Sequence, residues 1–187
     1  MVELPDPTPS HEQFLRLPDD ALLRQCQVDT YRASGPGGQH RNKVSSAVRL
    51  RHEPSGVSAH GDDSRSQHEN KRIALKRLRM QIATHLRAPA DWQEEQPPEV
   101  LRDCIHPAKG GAKAGQARLQ IGRKDQRFWQ VAAYLLDLLE VRQGRLSEAA
   151  AVLGITTSNY IRVLKSHPQL LAATQDIRRR FDHKPIQ

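Results

Sequence analysis

Five consecutive residues, Gly35-Pro36-Gly37-Gly38-Gln39, hold three glycines and a proline and end in a side chain that both donates and accepts hydrogen bonds. Glycines lack a Cβ, so they permit φ > 0 and let the backbone come close to a bound group. Pro36 fixes its own φ and removes a competing N–H. Such a loop cannot build a core. It can carry backbone amides and one carboxamide into a confined space, and backbone N–H groups are effective donors to a developing oxyanion. Taken alone, the triplet reads equally well as a hairpin tip or a surface turn, so its neighbours decide.

Tyr31-Arg32-Ala33-Ser34 precedes the loop, and Gln39-His40-Arg41-Asn42-Lys43 and Ser45-Ser46-Ala47-Val48-Arg49-Leu50 follow it. Glu53-Pro54-Ser55-Gly56-Val57 and Arg65-Ser66-Gln67-His68-Glu69-Asn70-Lys71 come next. In this order and spacing the block, roughly residues 19 to 87, resembles the Gly-Gly-Gln domain of class I peptide chain release factors and of related ribosome-rescue hydrolases. The resemblance implies hydrolysis of the ester joining a nascent peptide to tRNA. Gly37, Gly38 and Gln39 would be the catalytic residues. The Gln39 N–H would stabilise developing charge, and its side chain would admit water while excluding larger nucleophiles.

By the same resemblance, Arg41, Asn42 and Lys43 would lie near the tRNA acceptor end, and Arg65, Gln67, His68 and Lys71 would buttress the loop. Many release factors carry a small apolar residue where this chain has Arg41, which leaves the acceptor-end contacts open; for His68 a purely structural role is open too. The implied partners are the ribosome, through rRNA at the peptidyl transferase centre, peptidyl-tRNA, and a methyltransferase acting on Gln39. No cofactor or metal is implied, and a monomer is expected. Too few residues lie outside the block for the family's stop-codon-reading domains, so codon-independent action in ribosome rescue is expected. Rescue hydrolases usually carry a long Lys/Arg-rich tail; here a helical unit and a short basic end, Arg178 to Lys184, stand in its place. The alternative is a non-catalytic RNA- or ribosome-binding regulatory module, and a DNA-binding role for residues 145–165 is a third reading.

Charge agrees with a polyanionic partner. The 187 residues carry a formal net charge of +8, with only 4% aromatic residues, so the core must be small and aliphatic. The charge is uneven: residues 31–87 hold twelve basic and four acidic groups, whereas residues 1–30 hold two basic and six acidic. A basic segment of this kind suits nucleic acid. Cys26 and Cys104 are too few for a disulfide framework, and no Cys/His spacing suggests zinc. The start, Met1-Val2-Glu3-Leu4-Pro5-Asp6, has neither a basic region nor an apolar run. No stretch is long enough in apolar residues to cross a bilayer. A cytoplasmic location without a membrane partner is expected.

The elements that must position the loop are legible in part. Residues 1–17 read as a flexible lead-in and 18–87 as the catalytic domain. A short helix is expected from Asp19, then a strand over Gln27 to Ala33. Val48–His52 and Val57–His60 flank a turn sequence and predict a hairpin, with Val48, Leu50 and His52 on one face and Arg49 and Arg51 on the other. Ser66 and Glu69 have capping-box spacing, and Leu75, Leu78, Ile82 and Leu86 recur at helical intervals. Arg72, Lys76 and Arg79 form a stripe on another face of that helix. It reads as phosphate-binding or as a solvated face.

Residues 88–124 read as a linker, acidic and then basic and glycine-rich, lacking the Lys and Ser/Thr a P-loop would need after Gly115. Residues 125–187 read as an all-α unit. Phe128, Val131, Leu135, Leu138 and Leu139 predict a helix with one broad apolar face. Residues 147–165 around Gly154 fit a helix-turn-helix or a merely packed αα-hairpin. Pro168 suits the start of a last helix that ends in Arg178-Arg179-Arg180. The fold class expected is α+β: a small sheet packed on a basic helix, followed by a linker and a helical unit.

Overall fold

Alternation along Ala47–His52 organises the first half of the chain: Val48, Leu50 and His52 are fully buried, while Arg49 and Arg51 face solvent. The computed structural model describes residues 10–32, 45–88, 96–107 and 116–186. The chain divides into two units, Met1–Leu86 and Arg87–Gln187.

In the first unit, β1 (Cys26–Tyr31), β2 (Ala47–His52) and β3 (Ser58–Gly61) form an antiparallel sheet in that spatial order. The register pairs Tyr31 with Ala47, Cys26 with His52, and Leu50 with Ala59. Short helices α1 (His11–Leu15) and α2 (Asp19–Arg24) precede the sheet, and α3 (Gln67–His85) follows it. Helix α3 starts where the Ser66 Oγ accepts the Glu69 N–H at 3.3 Å. The return bond of a full capping box is replaced: the Ser66 N–H goes to Ser64 Oγ, and Glu69 pairs with Arg72. The helix turns Asn70, Ala74, Leu75, Leu78, Ile82 and Ala83 into the core. Burying a side chain the size of Leu78 stabilises by about 1.5–3 kcal/mol.

Gly61 is required by close approach. A Cβ there would sit 2.0 Å from the Asn70 carbonyl oxygen, so β3 reaches α3 only because the side chain is missing. His52 is satisfied at both ring nitrogens, with Ser55 Oγ 2.6 Å from Nδ1 and Gln25 Oε1 3.0 Å from Nε2. The Phe14 ring meets it edge-on at 4.4 Å.

The second unit holds α4 (Glu99–Arg102), β4 (Ile105–His106) and β5 (Arg118–Leu119), then α5 (Phe128–Val141), α6 (Leu146–Val152), α7 (Thr157–Leu164) and α8 (Pro168–Arg180). The described parts of 88–124 are therefore not a bare linker: Leu101, Cys104 and Leu119 are buried in the helical core. Helix α5 differs from the expected one-faced helix, because every residue from Val131 to Leu139 is buried. It is the central helix, covered on all sides. Its buried carboxylate, Asp137, is paired with Arg87 at 2.8 Å. The Tyr160 hydroxyl donates to the Leu135 carbonyl at 2.6 Å. The architecture is α+β, and no described helix is long and apolar enough to cross a membrane.

Candidate active site

Gly37, Gly38, Gln39, Arg41, Asn42 and Lys43 lie outside the described residues; the frame that carries them does not. Strand β1 runs out at Tyr31 and β2 begins at Ala47, and these two residues are register partners. Paired residues of antiparallel strands lie about 4.5–5.5 Å apart at Cα. The two ends of the glycine-bearing segment are thus held side by side.

A second restraint comes from α3. Asn70 is fully buried, and its Nδ2 donates to the carbonyls of Ser46 (2.8 Å) and Ser64 (2.7 Å). Its Oδ1 accepts the Ser64 N–H at 2.8 Å. One carboxamide therefore joins the residue preceding β2, the turn preceding α3 and the helix itself. Asn70 went unselected in the sequence, although it carried a signal. It sits four residues before buried Ala74, and an amide on a buried face needs fixed partners.

Arg77 braces the same turn from the next part of the helix, donating to the His60 carbonyl at 3.0 Å and to Asp63 at 2.9 Å. That hydrogen bond holds the Asp63 carboxyl below the usual carboxylate range. Tyr31, the last residue of β1, meets His60 edge-on with ring centroids 6.5 Å apart.

The residues expected to buttress the loop gather at the start of α3. Arg65, Gln67 and His68 are exposed and Lys71 is half-buried. His68 is accordingly not a buried structural histidine. Their side chains make no hydrogen bond to another described residue, and the loop they are expected to buttress lies outside the described residues; Asn70 and Arg77 brace the described frame.

The basic stripe on α3 is split. Lys76 is exposed, and Arg72 is exposed but paired with Glu69, whose carboxyl this bond holds below its usual range. Arg79 is turned inward: only 16% of its side chain is exposed, and it donates to the Leu15 and Leu17 carbonyls and to Asp19. It fastens the α1–α2 turn to α3. Of the three cations expected to form one stripe, Arg72 and Lys76 are thus exposed and Arg79 is not.

Among the described residues the two thiols make poor nucleophiles. Burial, with the Glu53 charge added, pushes Cys26 up to about 11, and burial also raises Cys104. No cluster of His, Cys, Asp or Glu suited to a metal ion occurs among them. The His52 imidazole is pushed below its usual value by burial and is fully occupied by Ser55 and Gln25.

Residues 21–127 match the family model of the RF-1 domain. Among curated relatives, peptide chain release factor 1 of Rhodospirillum rubrum is 48% identical over 68 residues, covering 36% of this chain and 19% of that protein. Peptide chain release factor 1 of Albidiferax ferrireducens is 53% identical over 70 residues, 35% of this chain and 19% of the relative. Peptide chain release factor 2 of Sulfurovum sp. is 49% identical over 59 residues, 32% of this chain and 16% of the relative. The chain thus spans under a fifth of the length of these three proteins.

Proposed function

Because the chain belongs to the RF-1 domain family, matched over residues 21–127, we propose that it hydrolyses the ester of peptidyl-tRNA on the ribosome. The observation that carries this reading is an intact Gly37-Gly38-Gln39 in a segment whose ends are joined by the Tyr31–Ala47 register pair and braced by Asn70. Water attacks the ester carbonyl carbon to give a tetrahedral oxyanion. The bond to the tRNA 3′ oxygen then breaks, that oxygen takes a proton, and the peptide leaves as a carboxylate. The Gln39 N–H is the donor to the charge that develops, and its carboxamide selects water. Preorganised donors of this kind need no general base on the protein, and the rRNA host supplies positioning.

The match covers a small part of each relative, so the hydrolytic reading alone is carried over from the resemblance. The proposal is hydrolysis without codon recognition, as in rescue of stalled ribosomes in the cytoplasm, by a monomer whose Gln39 is a methyltransferase substrate. The test is release of labelled peptide from ribosomes stalled with and without mRNA in the A site, with free peptidyl-tRNA alongside. Release from both stalled complexes supports the reading. Release confined to complexes with a stop codon in the A site would remove codon independence. Binding without release in either would leave an RNA-binding regulatory module.

A further inference from the structure

Two separate segments of the second unit, 116–124 and 155–167, contain five cations (Arg118, Arg123, Lys124, Arg162 and Lys165) and no carboxylate. The fold brings them together. The Asn159 side chain accepts the Leu119 N–H at 2.7 Å and donates to the Leu119 carbonyl at 3.1 Å. Arg162 donates to the same carbonyl at 3.2 Å. Ala117 forms a parallel bridge with Ile155. Strand β5 is therefore clamped along α7, with Leu119 buried and Arg118 exposed.

Helix α7 follows α6 through a turn in which Gly154 takes φ +63°, a conformation that glycine adopts without strain. The sequence left open whether this pair merely packs. The structure shows two faces on α7: Asn159, Tyr160, Val163 and Leu164 are buried, while Ser158, Arg162 and Lys165 are exposed at helical spacing. Beyond the helix, burial and the positive charge of Arg123 hold His167 below its usual value, and Arg123 is exposed. Nearby Asp125 is paired with Arg127 at 2.9 Å, so it does not neutralise the group.

We propose that the exposed face of α7 with β5 is a binding site for double-helical RNA, contacting phosphates through Arg118, Arg123, Arg162 and Lys165. The choice of RNA rests on the hydrolase reading above. The deep, narrow major groove of an A-form duplex does not admit a helix, so the contacts fall on the backbone and shallow groove. Ser158 lies on the same face as a hydroxyl partner, and sequence preference is weak.

The test uses the full chain and a fluorescent RNA hairpin of about 20 base pairs, with a DNA duplex of matching sequence, over a range of salt. The triple variant Arg118→Gln, Arg162→Gln, Lys165→Gln should bind the hairpin at least tenfold more weakly. Its salt slope should fall by roughly two to three, since each phosphate contact adds nearly one. Arg162 also bonds within the fold, so a second variant, Arg118→Gln with Arg123→Gln, keeps every hydrogen bond among the described residues. It should lose affinity at an unchanged melting temperature. Unchanged affinity and slope in this second variant would overturn the proposal, and so would tighter binding to the DNA duplex. Peptide release is scored separately: Gln39→Ala should lower release and keep hairpin binding, so loss of either reading is seen without the other.

Discussion

Asn70 Nδ2 lies 2.8 Å from the Ser46 carbonyl oxygen, linking the first turn of α3 to the residue that precedes β2. The bond spans 24 positions in sequence and is one of three made by the same buried side chain. It makes the helix part of the frame of the glycine-bearing segment.

Replacing Asn70 with Ala should therefore separate frame from chemistry. Leaving buried groups without partners costs about 1–3 kcal/mol, which urea denaturation will register. Release should fall further than the unfolded fraction explains, measured at a temperature where the variant is folded. A loss of release no larger than the loss of folded protein would reduce Asn70 to a stability residue.

Gly38→Ala should lower release by about 10²–10³, the scale seen when an oxyanion donor is displaced, because a Cβ obstructs approach to the reacting ester. Gln39→Ala should lower it with folding and hairpin binding intact. The readout is single-turnover release from stalled complexes. Wild-type rates in both variants would refute the catalytic assignment.

Arg79 and Lys76 should part company despite lying on one helix three residues apart. Arg79→Ala loses charge-assisted bonds to Leu15, Leu17 and Asp19, each worth about 1.5–3 kcal/mol when made to a charged group, and should lower the unfolding free energy. Lys76→Ala should leave stability within about 0.5 kcal/mol and reduce the salt slope of ribosome binding by about one. Equal melting temperatures for the two variants would contradict the inward role of Arg79.

Acid should destabilise the first unit through His52. Its folded pKa is lowered from 6.5 by burial, so the unfolded chain binds more protons over the interval between the two values. Unfolding free energy then rises with pH in that interval. The contribution is complete above about 6.5, and is lost as pH falls toward the lowered folded value. His52→Gln should flatten the profile as pH falls below about 6.5. His167, lowered likewise in the second unit, supplies a remaining slope that this substitution leaves in place.

Local chemistry was enough for much of the chain. The alternation Val48, Leu50, His52 specified which face of β2 is buried, because side chains of a strand point to opposite sides with period two. Ser66 announced the start of α3, and Pro168 that of α8, because helix ends have their own hydrogen-bonding needs. The glycine loop and its flanking residues carried the family resemblance unaided. These signals act within a few residues, and no folded context is required to read them.

Partnerships across long separations were decided by tertiary structure. Arg79 looked like its neighbours on a solvated stripe, yet it turned inward because Asp19 and two carbonyls 60 or more residues away were brought to it. Arg178, Arg179 and Arg180 looked like a free basic end. Arg178 bonds the Gly144 carbonyl, Arg179 pairs with Asp176, and Arg180 pairs with Glu140. Conversely, Arg118 and Arg162 belonged to segments read separately, and the Asn159 clamp on Leu119 placed them on one surface. A long charged side chain has no preferred partner within its own stretch of sequence; which carbonyl or carboxylate it meets depends on how apolar faces far along the chain are buried.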